Sequence, residues 1–215
     1  MMNDLNESPP INPAIQKNID MCDELLAENN LYEIYKTARR IPLSTLNRNI
    51  LVLCSILSIL LTLTIDPSTL AQTILVLSSD LISIVLTVLG FLIAGYAIFC
   101  SVLDHELSIE LYESKHKSSG FSKLKHSHLL FMRVFFYYLV YTFFLVFIQF
   151  FSSANIFSLS VFNDNIIYFT FHITNYLTLN LLFIGIVFLL LQLASFTFNI
   201  YHSVMTSICY TEINK

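Results

Sequence analysis

Tryptophan is absent from this chain of 215 residues, and glycine occurs only four times, proline five and cysteine four. So little glycine leaves no room for the phosphate-cradling loops of a P-loop or dinucleotide fold, and neither pattern occurs, nor does GxSxG. The cysteines build no framework. Cys54 and Cys100 lie inside apolar runs, and Cys22 and Cys209 on the side expected to face the cytoplasm. With none in a segment expected to be exported, structural disulfides are not expected. Charge is scarce too: 12% of residues are Asp, Glu, Lys or Arg, against about a quarter in an ordinary soluble domain. The net charge of −4 comes mostly from the N-terminal tail and argues against direct nucleic-acid binding. A cleavable signal peptide is not expected, because a long and mostly polar stretch precedes the first apolar run.

What fills the chain instead is apolar mass. Hydrophobic residues make up 55%, with 19 Phe and 11 Tyr, and mean hydropathy is +0.69. Four long apolar runs divide the sequence, and the cations respect that division. Lys17, Lys36, Arg39, Arg40 and Arg48 precede the first run. Lys115, Lys117, Lys123, Lys125 and Arg133 lie between the second run and the first turn of the third, and Lys215 follows the fourth. Cations near span ends resist translocation, so this bias sets which loops stay inside. The expected fold is an all-α integral membrane protein with four transmembrane helices, both termini and the middle loop being cytoplasmic.

The spans are expected at 49–65, 81–103, 129–151 and 176–202, within a membrane domain over 48–206. The first covers about 25 Å, near the lower limit for a crossing. Asp80 marks the outer boundary of the second: from Asp80 to Asp104 a helix rises about 36 Å, close to the hydrocarbon thickness plus a margin. Residues 67–79 are then an outer interfacial segment or an extension of a tilted helix. The third span is ringed by aromatics and expected to face lipid over much of its surface, with Arg133 snorkelling to headgroups. The fourth is long enough to tilt or to project.

Outside the spans, residues 1–12 read as a disordered tail and 13–47 as cytosolic amphipathic helices. Pro13 opens the first of these, whose apolar stripe is Ile15, Ile19, Cys22 and Leu26 among acidic residues. Asn29-Asn30 interrupt, and a second short helix runs from Leu31 to Arg40. Helices this short need a surface to bury against: the membrane domain, or a partner protein. Residues 104–128 form a cytosolic loop expected to be a solvated helical extension, broken at Ser118-Ser119-Gly120. In the outer loop 152–175, Phe157, Leu159 and Val161 alternate with serines. Ile167, Phe169, Phe171 and Ile173 alternate with polar residues beyond Asn163-Asp164-Asn165. That is period-two patterning about a turn, which predicts a small β-hairpin.

Two polar stripes are the candidate sites. Asp80, Ser83, Thr87, Gly90, Ala94, Ala97, Ser101 and Asp104 recur at helical spacing along the second span. Small side chains let membrane helices approach closely, so the stripe reads as a packing seam. With a carboxylate at each mouth it reads alternatively as the wall of a cation path. Gln192, Ser195, Asn199, His202 and Thr206 form the second stripe, in the cytoplasmic half of the fourth span. Polar groups at membrane depth need partners, which points to interhelical hydrogen bonds or a polar vestibule. Asn180 and Gly185 make a smaller polar spot toward the outside. The middle loop combines His105, His116, His126 and His128 with carboxylates, but the spacing fits no metal motif, and neither a metal nor another cofactor is expected. No catalytic constellation is readable, so the chain is expected not to be an enzyme.

The segment Gly90–Leu107 (GFLIAGYAIFCSVLDHEL) passes straight from a small-residue span into a charged helical extension. With the acidic helical tail, it resembles small multi-span membrane effectors of bacterial phage-defence systems, retron-associated ones among them. The resemblance implies a membrane-damaging toxin of the bacterial inner membrane, held inactive by cytosolic partners until infection is sensed. It carries no residue-level motif with it. The expectation is a non-enzymatic effector that meets the lipid bilayer, forms a homo-oligomer and permeabilises the membrane. A cytosolic regulator would bind the N-terminal helices or the 104–128 loop. The alternatives are an accessory or sensor subunit of a larger membrane complex, and a small channel or transporter.

Overall fold

The computed structural model describes residues 13–103, 105–116, 119–153 and 165–213, and among these every regular element is a helix. In chain order they are α1 (Pro13–Leu25), α2 (Leu31–Ala38), α3 (Thr45–Thr62), α4 (Pro67–Val102), α5 (His105–Glu113), α6 (Lys123–Ser153) and α7 (Asn165–Ile213). Stretches of α3, α4, α6 and α7 are long and apolar enough to cross a membrane: Thr45–Thr62, Thr69–Ser101, Lys123–Phe151 and Phe169–His202. The chain is thus a multi-pass membrane protein by length and composition. A helix is the element that satisfies its own backbone in hydrocarbon, where no water can.

The ends follow from local chemistry. Asn30 caps α2, its side chain accepting from Glu33 N at 2.9 Å while Glu33 Oε2 accepts from Asn29 N at 2.8 Å. Pro67 opens α4, where the absent N–H costs nothing, and Thr69 donates its N–H and its hydroxyl to the Asp66 carbonyl. Between α5 and α6 the chain turns tightly. Lys115 and Ser122 pair as an antiparallel bridge, His116 N donates to Phe121 O at 2.8 Å, and Gly120 takes φ 74°, a conformation glycine adopts without strain. This is the break expected at Ser118-Ser119-Gly120, of which 118 lies outside the described residues.

α6 is the centre of the bundle. It packs against α2, α4, α5 and α7, and α4 also packs on α7. Its buried residues Phe131, Val134, Tyr138, Tyr141, Leu145 and Ile148 join Val85 and Leu92 of α4 and Leu182 and Leu189 of α7 in one core. One face of α6 thus lies in the core, while only 28% of its most apolar stretch is buried, so much of its surface stays open to lipid. Phe143, Phe147 and Phe150 are exposed, whereas Phe131, Tyr138 and Tyr141 are buried in that core. α3 is the peripheral helix, resting on α7. Polar pins hold it there: Ser58 Oγ donates to Asn180 Oδ1 at 2.6 Å and Asn47 Nδ2 to Ser195 Oγ at 2.7 Å. The polar spot read at Asn180 is therefore a helix–helix clasp.

Two expectations change, and of the two readings of residues 67–79 the helical extension is the one found. The second half of the hairpin, residues 165–175, is the first part of α7, and 154–164 lie outside the described residues. Alternating aromatic and polar residues suit a strand in water, but an apolar helix continues through them at no backbone cost in lipid. Residues 67–79 are helix, an extension of the second span. α4 is one element of 36 residues, about 54 Å long, with Asp80 inside it and not at its start. The 104–128 segment is not a solvated extension either. α5 buries Leu107 and Leu111 with Leu124, against Met21 and Leu25 of α1.

Gly185, the other half of that polar spot, lies under the Tyr141 ring of α6. A Cβ added there would collide with the Tyr141 ring, whose hydroxyl donates to Leu182 O at 2.6 Å. Gly185→Ala is expected to lower stability by about 1–3 kcal/mol, the usual penalty for overpacking, read as a lower melting temperature in detergent. Combining it with Tyr141→Leu should restore part of the loss.

Candidate functional site: a polar chamber at the basic end

Among the described residues Lys36 lies on α2, Arg39 and Arg40 just after it, Arg48 in the first turn of α3, Lys115 in the α5–α6 turn, and Lys123, Lys125 and Arg133 in the first part of α6. Two of them are not where headgroup attraction would put them. Arg133 is 5% exposed and Lys125 is 6%. Arg133 Nη1 donates to the Ile41 carbonyl at 2.7 Å. Lys125 Nζ donates to the Glu24 carbonyl and lies 3.1 Å from Glu28 Oε2. The snorkelling expected of Arg133 is thereby corrected: the residues after α2 fold back over it and supply an acceptor. Tyr35 completes the dock by stacking on Phe136, ring centroids 4.3 Å apart.

This back-folded segment roofs a chamber of about 550 Å³ between residues 41–47, α6 and α7. Its lining includes Asn47, His116, His126, Arg133, Gln192, Ser195 and Asn199. A second space of about 260 Å³ adjoins it, sharing His116, His126, Phe198 and Asn199 and adding Lys123 and His202. Among the described residues none that lines either space is acidic. The α5–α6 turn brings His116 face to face with His126, centroids 3.8 Å apart and planes within 7°. Ser119 Oγ meets His126 Nδ1 at 2.9 Å. Arg133 Nε is buried with no hydrogen-bond partner among the described residues. An unpaired donor on a cation is costly to bury unless something accepts from it.

The second polar stripe is thus half clasp and half vestibule. Ser195 is engaged by Asn47, while Gln192, 2% exposed, lines the chamber with Ser195 and Asn199. His202 lines the adjoining space, and Thr206 belongs to α7 with its side chain outside the described residues. Among the described residues no group of three or more His, Cys, Asp or Glu could hold a metal ion. His116, Arg133, Asn47 and Lys123 were not read as members of one site. Lysines and arginines at a span border are common, and only the fold brings these four sequence regions together.

The first stripe lies elsewhere and stands apart from the core. Asp80, Ser83, Thr87, Gly90, Ala94, Ala97 and Ser101 are all exposed along α4, and Asp104 lies outside the described residues. Leu70, Ile74, Leu81, Val85 and Leu92 form the buried face of the same helix. At 3.6 residues per turn the two faces are about 180° apart. A Cβ at Gly90 would meet nothing within 4 Å. The stripe is therefore no seam within the chain.

Arg133→Met removes the donor that holds Ile41 and is expected to loosen residues 26–44. Limited proteolysis should cut there at least several-fold faster than in the parent. Unchanged cleavage would mean that Tyr35, Ala38 and Lys125 alone hold the dock.

Among known proteins, no family model, no curated protein and no solved structure matches this chain.

Proposed function

We propose that this protein is a non-enzymatic effector of the bacterial inner membrane that oligomerises through α4 and permeabilises the bilayer under control of a cytosolic partner. The observation that carries this reading is the α4 stripe. Seven small or polar residues run exposed along one face, opposite the face buried against α6 and α7. In lipid a Leu-rich surface gains nothing by leaving the acyl chains, whereas a small-residue surface gains close backbone approach by meeting another helix. Repeating that contact around an axis would line a path with Ser83, Thr87 and Ser101, with Asp80 toward one mouth. Resemblance to phage-defence membrane effectors agrees with this reading.

Control from the cytoplasm is supported by the N-terminal helices. α1 uses Met21 and Leu25 to dock, yet leaves Ile15, Ile19 and Leu26 of its apolar stripe exposed. A partner that covered them would sit directly over the dock. The same feature favours a second reading, an accessory or sensor subunit whose exposed faces contact a larger complex.

Induced expression is expected to arrest growth and depolarise cells. Gly90→Leu with Ala94→Leu should abolish both and shift the detergent-solubilised protein to a smaller size. Unchanged size and phenotype would refute α4 as the contact, and harmless expression of the parent would sink the effector reading. Orientation is checked separately: alkaline phosphatase fused after Asp164 should be active, and fused after Lys117 inactive.

A further inference from the structure

Below the polar chamber lies a second space of about 550 Å³, almost wholly apolar, walled by α3, α6 and α7. The two are stacked along the same helices. On α3 the wall passes from Asn47 to Leu51, on α6 from Arg133 to Tyr137, and on α7 from Gln192 to Phe188. Each step is four residues, one turn on the same face. The level is informative as well. α3 has 18 residues, about 27 Å, barely enough to cross hydrocarbon, so its first turn stands at the headgroups. Asn47 lies in that turn and opens on the chamber; Leu51 lies one turn deeper and opens on the groove.

From this stacking we propose that the chamber and groove together hold one anionic phospholipid, its phosphate against Arg133, His116 and His126 and an acyl chain in the groove beneath. Basic pockets between membrane helices on the cytoplasmic side are suited to anionic headgroups. Among the described residues lining the two spaces there is no carboxylate, the natural partner of a choline or ethanolamine cation. The buried Arg133 Nε is a donor awaiting an acceptor, which a phosphate oxygen supplies. The groove explains why the occupant is a lipid and not a soluble phosphate. Val140, Leu181 and Phe144 line it on the exposed side, and a free anion has no use for them. None of this requires the α4 contact, since no residue of α4 lines either space.

The test exposes the full chain to vesicles of equal phosphatidylglycerol and phosphatidylcholine, extracts it in mild detergent and counts retained lipid by native mass spectrometry. Retention of one phosphatidylglycerol per chain is expected, about tenfold over phosphatidylcholine, a difference of about 1.4 kcal/mol. His126→Gln should reduce it by weakening the phosphate contact. Val140→Trp should reduce it independently by filling the groove, far from any cation and on an exposed position that tolerates bulk. Equal retention of both lipids, or retention unchanged in both variants, overturns the proposal. Inorganic phosphate is the control. If phosphate alone raises the melting temperature as much as phosphatidylglycerol does, and Val140→Trp leaves both effects intact, the chamber is a soluble-anion site and the lipid assignment falls.

Discussion

A guanidinium buried on a membrane helix needs acceptors, and at Arg133 the chain supplies one from its own backbone. The 2.7 Å contact from Arg133 Nη1 to the Ile41 carbonyl draws the segment before α3 across the face of α6. Ala38 and Ile41 then bury against Leu129 and Leu130. Tyr35 reaches Phe136 one turn further on. α1 follows, held by Lys125 to Glu24 and Glu28. Breaking a buried charge from its partner costs several kcal/mol, on the order of 3–5, so the dock and the bundle share one determinant. The chamber exists because this fold-back roofs it.

The bundle beneath is held differently on its two sides. α4, α6 and α7 meet through interlocked apolar and aromatic side chains, and the Tyr141 ring of α6 lies directly over Gly185 of α7. Ser78 Oγ donating to Gln149 Oε1 at 2.9 Å adds a buried polar link between α4 and α6. α3 meets α7 through Asn47 and Asn180, near its two ends, and leaves most of its apolar surface outward. In lipid, outward apolar surface carries no penalty, so two hydrogen-bonded clasps suffice to seat a helix of this length. A space between the clasps is the natural result, and the apolar groove is that space.

The four spans were legible because a run of apolar residues long enough to cross has few other uses, and the short N-terminal helices because Pro13 opens the first and Asn29-Asn30 interrupt before the second. Positions on the second and fourth spans were legible by period: small residues on one face of α4, polar ones on one face of α7. Lipid made the rest ambiguous. Aromatics at a bilayer can face acyl chains or a neighbouring ring, and the sequence of α6 is aromatic on every side, so its central place is decided only by packing. Arg133 looks like a snorkelling residue until the carbonyl of residue 41 is placed beside it. The alternation over 167–173 is real, but in α7 it sorts nothing, because a helix there has no wet face to distinguish.

The two stripes end up with separate tasks because they lie on separate parts of the bundle. The α7 stripe is turned inward, engaged by Asn47 and open to a chamber. The α4 stripe is turned outward, opposite the face that α6 and α7 cover. A helix whose buried face is apolar but for Ser78 gains nothing within the monomer from serine, threonine, glycine and alanine in register on its other face. Lipid tails would accept leucine at those positions equally well, and intrinsic helix propensity favours leucine over all of them except alanine. The proposed assembly through α4 draws on this register from Asp80 to Ser101, since small side chains are what allow a second helix to approach closely.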